Sequence, residues 1–239
     1  MTVGSSGTIL TSLDGTTWTS RTSQTSNSLR DVTYGNSTFV IVGQSGTIQT
    51  SLDGTTWTSR TSGTSNELKG VTYGNSIFVA VGGRVSTPEI FTSSDGITWT
   101  DRSSGTSGGC SGDCDYFFAV TYANNIFVAV TGSKIFTSSD GTTWTSRTRS
   151  VAAEQRGITY GNSTFVIVGQ SGTIQTSLDG TTWTSRTSGT SNNLYDVTYG
   201  NSTFVAVGTS GIILTSSDGI TWTSRTSGTS NQLRGVTSR

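Results

Sequence analysis

The chain has 239 residues, its 14 Lys and Arg residues balance its 14 Asp and Glu residues, and it contains no His. Only 12% of the residues are charged, and no basic surface of the kind that binds nucleic acid is indicated. No apolar run approaches the roughly 20 residues that a membrane-spanning helix needs. We therefore expect no nucleic-acid partner, no membrane span and no cofactor, and the absence of His excludes Ser-His-Asp and Cys-His catalysis.

Six tryptophans recur along the chain at intervals of 39, 42, 45, 39 and 39 residues, and they divide it into six similar repeats. Residues 33–66 recur letter for letter as residues 159–192. Sequence repeats of about 20 to 50 residues form solenoids, propellers or arrays of supersecondary modules. The repeat therefore determines the architecture of the whole chain.

Each repeat is predicted to contain four short strands, which the second repeat illustrates. They are predicted over residues 29–34, 38–42, 47–51 and 55–61. The turn signal Gly35-Asn36-Ser37 separates the first two strands, and Asp53-Gly54 predicts a tight hairpin between the last two. The second strand, T-F-V-I-V, is apolar on both faces, which indicates a sheet that is covered on both sides.

A four-stranded antiparallel module of about 40 residues that is apolar on both faces is typical of a propeller blade. We predict an all-β, six-bladed β-propeller that forms a single domain over residues 1–239, with a blade period of about 39 residues and insertions near residues 82–90 and 107–116. Residues 2–4 are a short second strand and residues 233–237 resemble a first strand, so the carboxyl-terminal strand is expected to pair with the amino-terminal strands. The alternative is an open end that accepts a strand from another copy, which leads to self-association.

A motif around each Trp reads S-L-D-G-T-T-W in three repeats and S-S-D-G-[TI]-T-W in the other three. It resembles the Asp-box (BNR-like) motif of sialidase-like propellers, S-x-D-x-G-x-T-W, with one residue fewer between Asp and Gly. The wider repeat is similar to the blades of photosystem-II-assembly-factor-like propellers. The resemblance implies structural hairpins that lie away from the ligand site, and binding of cations by Asp or of sugars by Trp is the alternative. The structural residues are Asp14, Trp18, Asp53, Trp57, Asp95, Trp99, Asp140, Trp144, Asp179, Trp183, Asp218 and Trp222.

The start of the first strand differs among the six repeats, whereas the strands themselves are nearly constant. The aligned residues there are Arg30, Lys69, Phe118, Arg156, Tyr195 and Arg234. Sixfold repetition is expected to bring these four cations and two aromatics round one mouth of the central channel, where they can hold a glycan or an anionic ligand. Variation on a constant scaffold is how repeat folds carry binding. The alternative is a solvated rim that is free to vary.

The two cysteines, Cys110 and Cys114, lie in the Gly-rich second insertion. Two Cys without His make a poor zinc site, because four ligands are expected, so we predict no metal site and a local disulfide. Calcium binding with Asp113 and Asp115, or two free thiols, are the alternatives. A disulfide favours an oxidising compartment, and we expect an extracellular or cell-surface location, although the first residues do not resemble a secretory signal.

The resemblance to sialidases would imply an arginine cluster with catalytic Tyr, Glu and Asp residues. The chain has three Glu residues, Glu67, Glu89 and Glu154, and no Tyr-Glu pairing is evident. We therefore assign no catalytic residue and predict a non-enzymatic binding or scaffolding propeller that recognises a protein or glycan surface. The alternatives are a structural subunit of an extracellular or surface assembly and a glycoside hydrolase.

Overall fold

The structure is a computed structural model that describes residues 1–85, 87–103 and 116–237 of the chain. The described residues form short β-strands joined by turns, and their helices are limited to three-residue 3-10 turns. The strands make five four-stranded sheets and one three-stranded sheet, the latter at the amino terminus. Sequential strands pair antiparallel, as in β4 (Leu29–Gly35) with β5 (Thr38–Gly43).

The first three sheets contain, in chain order, β1 (Thr2–Val3), β2 (Ile9–Thr11), β3 (Thr19–Arg21), β4 (Leu29–Gly35), β5 (Thr38–Gly43), β6 (Ile48–Ser51), β7 (Thr58–Arg60), β8 (Leu68–Gly74), β9 (Ile77–Arg84), β10 (Thr87–Ser93) and β11 (Thr100–Asp101). The last three contain β12 (Phe117–Ala123), β13 (Ile126–Thr131), β14 (Ile135–Ser138), β15 (Thr145–Arg147), β16 (Gln155–Gly161), β17 (Thr164–Gly169), β18 (Ile174–Ser177), β19 (Thr184–Arg186), β20 (Leu194–Gly200), β21 (Thr203–Gly208), β22 (Ile213–Ser216) and β23 (Thr223–Arg225). Each sheet is one blade, and the prediction of an all-β propeller of six blades is confirmed.

The amino-terminal blade has three strands, β1 to β3. Its strand β1 corresponds to the second strand of the other blades and is only two residues long, in agreement with the short strand predicted at residues 2–4. No strand is assigned over residues 233–237. The N–H of Leu233 nevertheless donates to the carbonyl of Gly208 at 2.9 Å, as the N–H of Leu29 does to Gly4 at 2.9 Å. Leu233 near the carboxyl terminus thus bonds to the sixth blade in the way that Leu29, at the start of a first strand, bonds to the blade before it. Pairing of the carboxyl-terminal residues with the amino-terminal strands stays a prediction.

The chain divides into two compact units. The first unit comprises Met1–Phe127 and Ser138–Trp144, and the second comprises Val128–Thr137 and Thr145–Arg239. The expectation of a single domain stays a prediction.

The core of the first unit is built on the second strands of its blades. Val40, Ile41 and Val42 of β5 are all fully buried, so both faces of this strand are covered, as its apolar pattern predicts. The Phe of each second strand packs against two other aromatic rings of its own blade. The centroid of Phe78 lies 4.7 Å from that of Tyr73 and 6.4 Å from that of Trp99. This aromatic trio fixes the outer strand and its hairpin to the blade.

The core of the second unit follows the same plan. Val166 and Val168 of β17 are fully buried, and they share a cluster with Leu194 at the start of β20. The centroid of Phe204 lies 4.5 Å from that of Tyr199 and 6.3 Å from that of Trp222. The same sequence positions thus produce the same packing in both units.

The tight hairpin predicted at Asp53-Gly54 is wrong, because β6 ends at Ser51 and β7 begins only at Thr58. The Asp53 carboxylate accepts hydrogen bonds from the N–H groups of Thr55 and Thr56 at 2.7 and 2.8 Å, which draws the backbone into a wider turn. The fourth strand is therefore Thr58–Arg60 instead of residues 55–61. We call each such S-x-D-G-x-T-W turn a Trp hairpin.

The first insertion, residues 82–90, extends a strand hairpin as predicted, because β9 and β10 pair out to Arg84 and Thr87. Glu89 in this hairpin accepts hydrogen bonds from Thr64 Oγ1 at 2.9 Å and Asn66 Nδ2 at 2.7 Å. Glu89 therefore holds the extended hairpin to the neighbouring loop. Most of the second insertion, including the predicted Cys110–Cys114 disulfide, lies outside the described residues.

Candidate ligand-binding clusters

Four of the six predicted binding residues lie at a β-bulge near the start of a first strand. In four blades the register between the first and second strands shifts by one residue, as between Leu29 and Asp31 in β4. The extra residues at these shifts are Arg30, Lys69, Arg156 and Tyr195. Such a β-bulge leaves one residue unpaired and redirects its side chain. The bulge is therefore the device that presents these variable side chains.

The first-unit cluster consists of Arg30, Glu67, Lys69, Tyr116 and Phe118. Glu67 is shared between two cations, with Arg30 Nε 2.6 Å from Oε1 and Lys69 Nζ 2.7 Å from Oε2. Lys69 Nζ also lies 4.9 Å from the ring centroid of Tyr116 and 5.8 Å from that of Phe118. Both cations of this cluster are therefore paired with the same carboxylate, and Lys69 makes cation–π contacts as well.

Glu67 is ionised in this setting. Burial alone would raise the pKa of its carboxyl, but hydrogen bonds from Lys69 and Arg30, together with their charges, hold the pKa below its ordinary value. Because the same carboxylate pairs with both cations, an incoming anion must compete with Glu67 for either of them.

The second-unit cluster consists of Glu154, Arg156, Tyr195 and Arg234. An Arg156 guanidinium nitrogen lies 2.9 Å from Glu154 Oε2. The guanidinium carbons of Arg156 and Arg234 lie 4.8 and 5.3 Å from the ring centroid of Tyr195. Among the described residues Arg234 has no carboxylate partner, and its guanidinium donates to Gln232 Oε1 at 2.8 Å. Two guanidinium groups thus share one aromatic ring, and only one of them forms an ion pair.

The buried residue that precedes the bulge cation in the sequence also differs between the clusters. Leu29 and Leu68 precede Arg30 and Lys69 and are buried, with 2% and 0% exposure. Gln155 takes the same position before Arg156, is fully buried, and neither its Oε1 nor its Nε2 has a hydrogen-bond partner among the described residues. The Nε of Arg156 is likewise buried and unpartnered there. The second-unit cluster therefore contains buried polar atoms without hydrogen-bond partners among the described residues, which lowers the stability of the fold.

Two carboxylates next to the bulges accept hydrogen bonds from backbone N–H groups 40 residues further along the chain. Asp31 Oδ2 accepts from the backbone N–H of Val71 at 2.9 Å, and Asp196 Oδ2 accepts from that of Val236 at 2.9 Å. Burial raises the pKa of Asp196, and the hydrogen bonds from the Val236 and Val197 N–H groups only partly offset this effect. Asp31 therefore connects its blade to the next one, and Asp196 holds the segment near the carboxyl terminus to the sixth blade.

The predicted binding residues meet in two groups of three. Arg30, Lys69 and Phe118 fall in the first-unit cluster, and Arg156, Tyr195 and Arg234 fall in the second-unit cluster. A single ring round a central channel stays a prediction. Sequence reasoning did not place Glu154 or Tyr116 in the site, and it noted Glu67 only as a variable neighbour of the binding residues. Glu67 and Glu154 each lie two residues before a cation, directly ahead of a first strand, and the recurrence of this spacing in two repeats was the available signal.

The Trp hairpins have the geometry of structural turns. In the second blade Ser51 Oγ donates to Asp53 Oδ1 at 2.9 Å and accepts from the Gly54 N–H at 2.8 Å. The N–H groups of Thr56 and Thr55 lower the pKa of Asp53 well below its usual range, so the turn is stabilised by an ionised carboxylate. The described residues contain no group of three His, Cys, Asp or Glu side chains that could hold a metal ion.

The tryptophans of these hairpins are not equally buried. Trp57 and Trp183 are buried, with 4% and 7% exposure, whereas Trp18 of the amino-terminal blade is 42% exposed. The indole N–H of Trp99 donates to the carbonyl of Gly96 in its own turn at 3.0 Å. The burial of Trp57 and Trp183 and the indole hydrogen bond of Trp99 are consistent with a structural role for these rings, whereas Trp18 is packed less fully.

Comparison with protein-family models gives no match, and comparison with curated proteins gives none either. Solved structures do resemble the chain. YCF48 bound to a D1 peptide matches with a TM-score of 0.62 and 18% identity, over 84% of this chain and 67% of that chain. YCF48 from Cyanidioschyzon merolae matches with a TM-score of 0.69 and 19% identity, over 93% of this chain and 79% of that chain.

Virginiamycin B lyase from Staphylococcus aureus matches with a TM-score of 0.74 and 14% identity, over 92% of this chain and 77% of that chain. At these identities the likeness establishes the propeller fold. Proteins with this fold include one that binds a peptide and one that is a lyase, so the fold alone decides no function. Among the described residues no helix has the length and apolar character that crossing a membrane requires.

Proposed function

We propose that the chain is a non-enzymatic binding or scaffolding propeller whose second-unit cluster holds an anionic segment of a protein partner. The ligand carries a carboxylate that bonds to Arg234 and Arg156 and stacks its neighbouring atoms on Tyr195. Guanidinium groups suit this task because their planar N–H donors match the two oxygens of a carboxylate.

The observation that carries the proposal is the position of Arg234. Its side chain is exposed, its guanidinium lies 5.3 Å from the Tyr195 centroid, and its hydrogen bond goes to the neutral amide of Gln232. With Arg156 and Arg234 against Glu154, the cluster carries a formal charge of +2 − 1 = +1. The unpaired charge is on the more accessible arginine, where an incoming carboxylate can reach it.

The likeness to YCF48 supports a peptide as the ligand, because one of those structures contains a D1 peptide. Virginiamycin B lyase has the same fold but is a lyase, so its likeness to this chain does not favour peptide binding. The three Glu residues support a binding role, since Glu67 and Glu154 pair with cations and Glu89 bonds to Thr64 and Asn66. Recognition of a glycan surface and self-association stay predictions.

The test is selection from a library of acetylated, amidated hexapeptides that contain two Glu residues, with a matched library that contains Gln instead. We expect the immobilised full chain to retain members of the acidic library. The affinity of the best peptide should fall by about tenfold or more in the variant Arg156→Gln/Arg234→Gln, because each charge-assisted hydrogen bond contributes about 1.5 to 3 kcal/mol.

The matched control is Arg30→Gln/Lys69→Gln, which removes the two cations of the first-unit cluster. We expect this variant to bind the selected peptide within about twofold of the parent, because both cations already pair with Glu67. Equal retention of the Glu and Gln libraries, or equal losses in the two double variants, would show that the site lies elsewhere.

A further inference from the structure

A groove on the first unit lies between two neighbouring Trp hairpins and encloses about 340 Å³. Leu52 of one hairpin and Ile97 of the next line it. Their side chains are 78% and 50% exposed, which makes them two of the most exposed large apolar residues of the described chain. Apolar surface that lies together in a groove rimmed by polar residues is typical of an interaction site.

The two apolar residues vary between repeats in a coordinated way. Leu follows the first Ser of the Trp hairpin in the first, second and fifth repeats, where the others have Ser. Ile replaces Thr after the Gly in the third and sixth repeats, at Ile97 and Ile220. Each Ile therefore follows a repeat that has Leu, so that a groove with two apolar walls forms once in each unit.

The groove is also acidic. Asp53 and Asp95 line it together with Arg60, which gives a formal charge of −2 + 1 = −1. Hydrogen bonds from the backbone N–H groups of Thr56 and Thr98 lower the pKa values of these two carboxyls, so both are ionised at neutral pH. The guanidinium of Arg60 is held to the blade by a hydrogen bond from its Nε to Thr50 Oγ1 at 2.8 Å. A positively charged partner therefore complements this surface.

The outer strand of the blade runs along the same groove. Thr58 and Arg60 of β7 line it, and within the described sheets β7 pairs with β6 alone. Its outer edge therefore presents backbone groups to which an extended segment can add as a further strand. In such a segment, residues two apart point to the same face.

We propose that this groove is a docking surface for an extended segment of another protein in which an aliphatic side chain is flanked, two residues away on each side, by Lys or Arg. The aliphatic side chain packs between Leu52 and Ile97, the basic side chains pair with Asp53 and Asp95, and the backbone pairs with β7. This site is separate from the second-unit cluster and takes a ligand of the opposite charge, so it does not depend on the function proposed above.

The pair of apolar walls recurs in the second unit. There Leu178 and Ile220 line a groove of about 360 Å³ together with Asp179 and Arg186, so this groove has one carboxylate instead of two and no net negative charge. The groove beside the amino-terminal blade differs, because Leu13 there faces a hairpin that contributes Thr55 in the place of Ile. It provides a matched comparison inside the same molecule, with one apolar wall instead of two.

The test uses the full chain with labelled Leu and Ile methyl groups and the acetylated, amidated peptide T-K-T-L-T-K-T. We expect the peptide to shift the methyl resonances of Leu52 and Ile97, and at higher peptide concentration those of Leu178 and Ile220, whose groove has one carboxylate fewer, while Leu13 shifts little. The variant Ile97→Thr, read at Leu52, should bind about tenfold more weakly, because about two buried carbon groups are lost. This variant carries the residue that four other hairpins have, so it should fold normally.

The peptide T-E-T-L-T-E-T is the charge control, and Leu13→Ser is the control variant. We expect the acidic peptide to cause no shift, and Leu13→Ser to leave binding at Leu52 unchanged. Equal binding of both peptides, equal shifts at Leu13 and Leu52, or no shift at any groove would overturn the proposal. A mass that doubles with concentration and is restored to the monomer by Ile97→Thr would also overturn it, since the groove would then pair two copies of the chain.

Discussion

The first-unit and second-unit clusters lie on similar backbone at the first strands but differ in how their charged side chains pair. Both place two residues at β-bulges, Arg30 and Lys69 in the first unit and Arg156 and Tyr195 in the second, and both have two cations and one carboxylate. In the first unit Glu67 contacts both cations, whereas in the second Glu154 contacts Arg156 and leaves Arg234 over Tyr195. Equal net charge therefore does not mean equal binding capacity, because the distribution of the ion pairs decides which cation an incoming anion can reach.

The clusters also differ in the buried residue that precedes the bulge cation, which is Leu68 in the first unit and Gln155 in the second. Exchanging these two residue types should have the largest effect of the changes proposed here, and it acts on the free energy of unfolding. Leu68→Gln should lower the free energy of unfolding by about 2 to 5 kcal/mol, because it removes apolar packing and buries an amide. Gln155→Leu should raise it by about 1 to 3 kcal/mol, because it removes two buried unpaired polar atoms. Chemical denaturation measures both values.

A loss of stability in Gln155→Leu would contradict this account, since it would mean that the amide has partners that stabilise the fold. The conservative variant Gln155→Met separates the effects of size and polarity. It should also be more stable than the parent if the unpaired amide is the cause.

Much of the fold follows from sequence patterns. The six Trp intervals, the two-sided apolar strand and the Gly-Asn-Ser turn predict the blades, because local periodicity determines the secondary structure. The left-handed φ values of Asn36 and Ser37, 46° and 57°, are those expected of such a turn. The wide Trp hairpin was missed because it depends on which backbone N–H groups the Asp carboxylate binds.

The site was only partly predictable for a related reason. Aligning the repeats finds the variable residues, but a β-bulge is a matter of register and does not appear in the residue types. The contact between Arg30 and Glu67 joins residues 37 positions apart in neighbouring blades. Only the assembled structure shows that one carboxylate serves two cations in one unit and a single cation in the other.

Removing the Glu67 carboxylate tests whether its ion pairs with Arg30 and Lys69 prevent the first-unit cluster from binding acidic peptides. In Glu67→Gln the side chains of Arg30 and Lys69 lose their ion pairs, and we expect the affinity of the first unit for acidic peptides to rise by about threefold to tenfold. Titration in the Arg156→Gln/Arg234→Gln background isolates this effect. The control Glu89→Gln removes a carboxylate that bonds only to Thr64 and Asn66 among the described residues and should change the affinity little.

The aromatic ring of the second-unit cluster should make a smaller contribution. We expect Tyr195→Leu to weaken acidic-peptide binding by about threefold, because an exposed cation–π contact is worth about 0.5 to 1 kcal/mol. Tyr195→Phe retains a π face and should bind within about twofold of the parent. If both variants lose binding equally, the hydroxyl is the important group, and the stacking account is wrong.

The Trp hairpins are common to both units, so their pH response should not distinguish them. Backbone N–H groups lower the pKa of each hairpin Asp in the folded state. Their stabilisation is therefore fully present above the ordinary Asp pKa of about 3.9 and is lost as the pH falls below it. Thermal unfolding between about pH 2 and pH 7 should show a falling midpoint on the acid side, and a midpoint that stays constant there would contradict the assignment.

The most direct test of the account places a reporter in each cluster. In the full chain labelled with 3-fluorotyrosine, the fluorine resonances of Tyr195 and Tyr116 are assigned by single Tyr→Phe variants, and the selected acidic peptide is then titrated in. We predict that the Tyr195 resonance moves with saturation while the Tyr116 resonance stays in place. Movement of Tyr116 alone, or of neither, would contradict the claim that the unpaired arginine beside Tyr195 forms the binding site.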